Sequence, residues 1–144
     1  MIWLMVLAGG LSQVGFVTWF SDGAAILLGG LSPMVVMIAL IVIFFFIHYF
    51  FASITAQTTA VLPVFLAAGA AVPGMPITVF ALLLCFTLGI MGIITPYATG
   101  PSPVYYGSGF IGRKDFWVLG LVFGAIFLLA LLIIGTPYLL AIYG

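Results

Sequence analysis

The residues whose types and spacing could do chemistry fall in two short polar clusters set between long apolar runs. One is Ser53-Ile54-Thr55-Ala56-Gln57-Thr58-Thr59, with four hydroxyls and an amide in seven residues. The other is Thr95-Pro96-Tyr97-Ala98-Thr99-Gly100-Pro101-Ser102-Pro103, with three prolines, a glycine and the hydroxyls of Thr95, Thr99 and Ser102. Proline removes a backbone donor and breaks the helix ladder. Between apolar helices such a break would lie at membrane depth, where exposed backbone groups are tolerated only if protein or a polar cavity satisfies them. Helices that restart after Thr55 and after Pro101 would aim two N-termini at one place if the clusters meet. The N–H groups and positive dipole ends would then favour an anion, and carbonyls at the breaks a cation. Ser53, Thr55, Thr99 and Ser102 can cap those helices and contact a ligand, with Gly100 and Pro101 forming the loop between. The bland alternative is that Pro and Gly merely kink the helices while hydroxyls bond back to the preceding turn. Two breaks in one short chain favour a transport site.

His48 lies five residues before Ser53 on an otherwise apolar run. An ionisable group in a membrane segment is a functional candidate for proton coupling or for binding a carboxylate. With no acidic partner in sight, a neutral imidazole hydrogen-bonded within its own hairpin is the preferred reading. Gln57 reads as polar glue between helices. Ala52 and Ala98, at the two breaks, join His48 as candidates for ion or proton coupling.

Composition fixes the class to which such a site belongs. Of 144 residues 67% are hydrophobic and 3% charged, with two Lys plus Arg balanced by Asp22 and Asp115. That is too little charge to cover a soluble domain, and it implies an integral membrane protein with room for roughly four to six membrane segments at about 20 residues each. Nucleic acid is excluded as a partner because no cluster of Lys and Arg faces phosphate. Acid-base catalysis is disfavoured because only Asp22, Asp115 and His48 are available, so the chain is not expected to be an enzyme. The single Cys85 precludes an internal disulfide and any multi-cysteine metal site. Residues 1–8 lack the basic start and cleavage motif of a signal peptide.

The elements that must position the clusters follow in order, within one membrane domain over 1–144. Residues 2–11 are apolar but reach only about 15 Å, half a bilayer. Residues 16–31 mix Trp19, Phe20, Ser21 and Asp22 with apolar residues, as a helix lying along the interface would. Ser32-Pro33 is a helix start. Residues 33–72 read as a re-entrant helical hairpin that turns near Ser53 to Thr55, its second run over 60–72 carrying Pro63. Pro73-Gly74-Met75-Pro76 is a surface turn. A broken helix over 77–112 follows, running through the second cluster and resuming as a short helix to about Phe110. Arg113 and Lys114 mark the cytoplasmic side. Residues 116–143 form one long helix, interrupted late by Gly135-Thr136-Pro137. The fold class is therefore all-α, in a membrane.

At the two clusters the chain resembles a known family. Phe50-Phe51-Ala52-Ser53-Ile54-Thr55-Ala56 with Pro63, then Ile94 through Pro103, then Tyr106-Gly107-Ser108-Gly109, resemble the divalent anion:sodium symporters. The block His48-Tyr49-Phe50-Phe51-Ala52-Ser53 is similar to the branch of oxoglutarate/malate translocators and citrate/succinate antiporters. The resemblance covers the whole chain and the family's C-terminal half alone. It implies one inverted repeat of an elevator-type carrier, often dimeric, for di- or tricarboxylates in a bacterial inner membrane. It also implies that Ser53 and Thr55 match the Ser and Thr of the family's Ser-Asn-Thr hairpin motif, and that Thr99, Gly100 and Pro101 fall in the broken-helix loop. Together with Ser102 these form the expected substrate half-site. Position 54 is Ile where many members have Asn, which weakens the expectation of sodium as coupling ion and fits exchange of carboxylates. The resemblance further implies that a first hairpin and first broken helix belong to a separate N-terminal partner. A truncated, non-transporting membrane fragment and a small self-sufficient antiparallel dimer are the alternatives.

Overall fold

The computed structural model describes residues 30–144 continuously, together with Gly15 and Gly23. The short apolar helix expected over 2–11 and the interfacial helix over 16–31, save its last two residues, lie outside the described residues. The described residues are all-helical, with no strand among them.

Helix α1, Pro33–Phe46, starts where its residue types dictate: Ser32 is extended, its Oγ accepts from the Val35 N–H at 3.4 Å, and Pro33 occupies the first turn. A 3-10 turn, Ile47–Phe50, tightens its end, and the chain reverses over residues 51–53 into α2, Ile54–Ala70. The reversal makes an antiparallel hairpin. Gln57 on α2 reaches the Phe44 carbonyl near the end of α1, while Gly74 beyond α2 sits beside Pro33 at its start. Gly74 adopts φ +80°, the left-handed conformation that the Pro73-Gly74-Met75-Pro76 turn requires. Helix α3, Ile77–Ile90, packs back on both hairpin helices and ends in a second 3-10 turn, Met91–Ile93. The core lies among these three helices, where Met37, Ile41, Phe44, Phe45, Phe80, Leu83 and Leu84 are fully buried. Phe44 meets Phe65 edge to face at 5.2 Å, a geometry that places the positive rim of one ring on the negative face of the other.

After the break come the short α4, Ser102–Gly107, then α5, Arg113–Ala130, a π-helical turn, Leu131–Gly135, and α6, Thr136–Tyr143. Helix α5 docks on the end of α3 through bare backbone. A Cβ on Gly120 would stand 2.7 Å from the Ile93 carbonyl oxygen, and one on Gly124 would meet Ile94 and Phe45. This is the small-residue spacing that lets membrane helices approach closely.

Several boundaries depart from the sequence reading. Helix α2 begins at Ile54, not at residue 60, so Gln57, Thr58 and Thr59 are helical and Pro63 lies inside the helix. The Thr58 and Thr59 hydroxyls donate to the Ile54 and Thr55 carbonyls at 2.8 Å, an arrangement open to hydroxyls within a helix that lacks other polar partners. Helix α4 stops at Gly107 before the left-handed Gly109, short of Phe110. The last helix starts at Arg113 with its charges inside the first turn, where Asp115 complements the dipole. It does not break at Gly135-Thr136-Pro137 but widens into the π-turn just before Pro137. A π-turn absorbs the hydrogen bond that proline cannot give. Of the four to six membrane segments expected, two described helices are long and apolar enough to cross a bilayer, Pro33–Phe50 and Arg113–Tyr143, while Ile54–Ala70 and Ile77–Ile93 are shorter apolar helices.

The glycine contacts generate a test by thermal melting in detergent. Gly120→Val places carbon against a backbone oxygen that cannot yield, and should destabilise the chain by roughly 1–3 kcal/mol, the usual range for overpacking. Gly89→Ala, where a Cβ meets open space, should leave melting unchanged or raise it.

Candidate functional site

The two polar clusters, nearly fifty residues apart in sequence, meet in space. The Ile54 N–H donates to the Ala98 carbonyl at 3.4 Å, and the Tyr97 hydroxyl donates to the Tyr49 carbonyl at 3.0 Å. Beneath these contacts runs a buried chain of side chains. Gln57, His48 and Thr95 are each fully buried. The Gln57 Nε2 donates to the Phe44 carbonyl at 2.7 Å, Gln57 Oε1 pairs with His48 Nδ1 at 2.8 Å, and His48 Nε2 pairs with Thr95 Oγ1 at 3.3 Å. Donor logic orders the protons. A backbone carbonyl only accepts, so the Gln57 amide presents its NH₂ to Phe44 and its oxygen to His48; that oxygen only accepts, so Nδ1 carries the ring proton. A neutral ring then accepts at Nε2 from the Thr95 hydroxyl. Among the described residues no buried side-chain nitrogen or oxygen lacks a partner.

Local structure explains how each candidate side chain is placed. Ser53 is the N-cap of α2, its Oγ accepting from the Ala56 N–H at 3.1 Å, and its carbonyl receives the Gln57 N–H. With the Ile54 N–H on Ala98, most donors of this helix start are already used. Among the described residues the Thr55 N–H has no partner, and the Thr55 side chain is exposed. At α4 the Pro101 carbonyl receives both the Val104 and Tyr105 N–H groups, Pro103 has none to give, and the Ser102 N–H has no partner among the described residues. Thr99 and Ser102 share a hydroxyl–hydroxyl bond of 2.6 Å, and Gly100 and Pro101 are exposed beside them. The expectation of two open helix starts is thus reduced to two N–H groups with the adjoining hydroxyls. The Ile54 side chain packs on Gly92 beside the Thr99 methyl, where an added Cβ would stand 3.1 Å from Ile54 Cδ1 and 3.0 Å from Thr99 Cγ2. Ala52 is exposed at the hairpin turn, and Ala98 is buried with its carbonyl held by Ile54.

A cavity of about 540 Å³ lies between the break and α5. Thr99, Pro101 and Ser102 line it, but Ser53, Thr55 and Gly100 do not; most of the remaining wall is apolar, including Leu119, Phe123 and Phe127. A dicarboxylate entering it would exchange hydration for the hydroxyl-bearing Thr99, Ser102 and Tyr105 and hydrocarbon, a poor trade for a doubly charged solute. The polar groups where tip meets break are better suited to an anion. Among the described residues no group of His, Cys, Asp and Glu is arranged to hold a metal ion.

The residues that the sequence reading did not connect are Thr95 with His48, Tyr97 with Tyr49, and Ile54 with Ala98. The only available signal was that an ionisable ring in an apolar segment needs a partner. Nothing local marks which hydroxyl, 47 positions away, supplies it.

Comparison with known proteins places these observations among transporters. Residues 1–143 match the family described as the sodium:sulfate symporter transmembrane region. The chain is 51% identical over 136 residues to the L-tartrate/succinate antiporter of Escherichia coli strain K12 and to that of Shigella sonnei, and equally to that of E. coli strain UTI89. Each match covers 94% of this chain and 28% of the relative, a smaller share than the half expected from the sequence.

The relay gives a stability prediction. Gln57→Met keeps the shape but strands the Phe44 carbonyl and the His48 Nδ1–H, and should cost roughly 2–5 kcal/mol for two buried unpaired groups. Ser53→Ala, which removes one cap, should cost about 1 kcal/mol. Thermal melting of the two variants beside the parent chain checks the order.

Proposed function

The chain belongs to the sodium:sulfate symporter (divalent anion:sodium symporter) family and is an integral membrane protein, and from that premise we propose that it is the C-terminal part of a secondary carrier for di- or tricarboxylates. Its relatives are transporters and not enzymes, in keeping with the lack of acid-base machinery. The chain spans 28% of their length, and the rest of the working carrier is supplied by residues outside these 144. The hairpin over 33–72 is re-entrant, the segment 77–112 is the broken helix, and 116–143 closes one inverted repeat of an elevator-type carrier in a bacterial inner membrane.

The observation that carries this reading is the Ile54 N–H to Ala98 carbonyl contact, which puts the hairpin tip and the helix break within hydrogen-bond reach. One substrate carboxylate binds there, held by the Thr55 and Ser102 N–H groups, the hydroxyls of Ser53, Thr55, Thr99 and Ser102, and the exposed backbone of Gly100 and Pro101. The dipole of α2 adds about half a positive charge at the same end. Hydroxyls and backbone donors do this work because the only cations of the chain, Arg113 and Lys114, lie beyond α4. The second carboxylate and the remaining walls belong to the partner.

Transport by this site is exchange of one carboxylate for another. The L-tartrate/succinate antiporters are similar in sequence, and the Ile54 side chain, packed toward Gly92, offers no oxygen to a sodium ion. Sodium, if it couples at all, meets carbonyls near Ala52 and Ala98.

Coexpression with the N-terminal portion of a relative, followed by labelled succinate or tartrate uptake into proteoliposomes, tests the reading. Uptake should require both pieces, be driven by internal dicarboxylate and persist without a sodium gradient. Thr55→Ala, which removes a hydroxyl that caps nothing, should weaken uptake about tenfold, the loss of one hydrogen bond to a charged group, with expression unchanged. Absence of uptake in any pairing, or equal uptake by Thr55→Ala, would overturn the carrier or the site respectively; uptake by this chain alone would establish the self-sufficient dimer instead.

A further inference from the structure

We infer that the buried relay of Phe44, Gln57, His48 and Thr95 is a positioning device that clamps the hairpin tip against the helix break and thereby sets the carrier's affinity for its carboxylate. The inference rests on the carrier reading for the affinity, and on geometry alone for the clamp.

The relay spans the three pieces that must keep register if the tip and break are to face one ligand. Phe44 belongs to the last turn of α1, His48 to the 3-10 turn that follows, Gln57 to the first turns of α2, and Thr95 to the break. Each side chain in it is fully buried, and each link lies between 2.7 and 3.3 Å. Buried side chains bonded only to one another, with no water in reach, hold one geometry, because every displaced member leaves a partner unpaired in hydrocarbon. The covering contacts are of similar length but engage backbone carbonyls: the Ile54 to Ala98 bond is 3.4 Å long against 3.3 Å for His48 to Thr95, and the Tyr97 to Tyr49 bond, at 3.0 Å, is exposed. Most of the constraint on tip against break therefore falls on His48 and Thr95, the one side-chain pair between them that is sealed from the surface.

This assigns His48 a positioning role rather than a coupling one. Its Nδ1 proton is committed to Gln57, and Nε2 is committed to Thr95. Neither nitrogen faces the exposed hydroxyls of the site. His48 is thus two links from the ligand, acting through Thr95 on Ala98 and Thr99.

Thr95→Val removes the hydroxyl and keeps the shape, and Thr95→Ser keeps the hydroxyl and trims the shape. In the coexpressed carrier, Thr95→Val should raise KM for succinate exchange about tenfold, the worth of one buried hydrogen bond, with maximal rate close to the parent and melting temperature lowered because the buried His48 Nε2 loses its partner. Thr95→Ser should restore KM. A second readout needs no transport: in the 144-residue chain in membranes, with Cys85→Ser, the buried position Ala98→Cys should react with a soluble maleimide several-fold faster when Thr95→Val is added, and no faster with Thr95→Ser. Equal labelling of the Val variant and its parent overturns the clamp. Faster labelling with unchanged KM overturns its control of affinity. If no pairing transports, the carrier reading fails and the labelling rates alone decide the clamp.

Discussion

A helix break among apolar helices frees backbone groups that hydrocarbon cannot satisfy, and the polar residues of the two clusters are arranged around that fact. Ending α3 at Ile90 before the Pro96-containing break, and reversing the hairpin at residues 51–53, releases such groups. The chain answers by placing the two defects against each other. Ile54 gives its N–H to Ala98, Ser53 caps its own helix, and a sealed file of side chains runs from Phe44 to Thr95. Each defect supplies what the other lacks. The packing of α1, α2 and α3 around Phe44, Phe45 and Phe80 exists at this spacing because the polar file passes through it at one end.

What is left over after that mutual satisfaction is the surface proposed to meet the substrate. A structural break would use all its donors internally. Here the Thr55 and Ser102 N–H groups and a small group of hydroxyls stay outward, next to exposed glycine and proline backbone. The neighbouring cavity along α5 has the volume for a small solute but the wrong chemistry for a charged one. Polarity, not volume, separates the hydroxyl-lined side of the break from the apolar side along α5.

Much of this was legible in the sequence because membranes narrow the choices. Near absence of charge dictated helices in a bilayer, Ser32-Pro33 marked the start of α1, and the two hydroxyl-rich clusters marked the defects. The hairpin's own partners were half visible: a lone His48 and a lone Gln57 nine positions apart are within reach across a tight turn. Their link to Thr95 was not visible, since contact between distant segments depends on how the helices pack and leaves no local trace. Helix limits shifted where polar residues flank the apolar runs. Thr58 and Thr59 remain helical by bonding back to carbonyls one turn earlier, and Arg113 to Asp115 fit a first turn at a membrane edge. The residues before Gly30, save Gly15 and Gly23, stand outside what the structure describes.

The π-turn at Leu131–Gly135 has a consequence for the phase of the last helix. On α5 the buried residues are Gly120, Gly124 and Leu128, and two regular turns beyond Leu128 would bring the same face to about position 135. Beyond the turn the inward residues are instead Thr136 and Leu139. The widened turn holds one residue more than a regular helix would, and one residue is worth about 100° of azimuth. It works as a spacer that re-indexes the helix face. Two apolar stripes with different phases can thus follow one curved surface, and the final turns of the chain are keyed to α3 by counting rather than by composition.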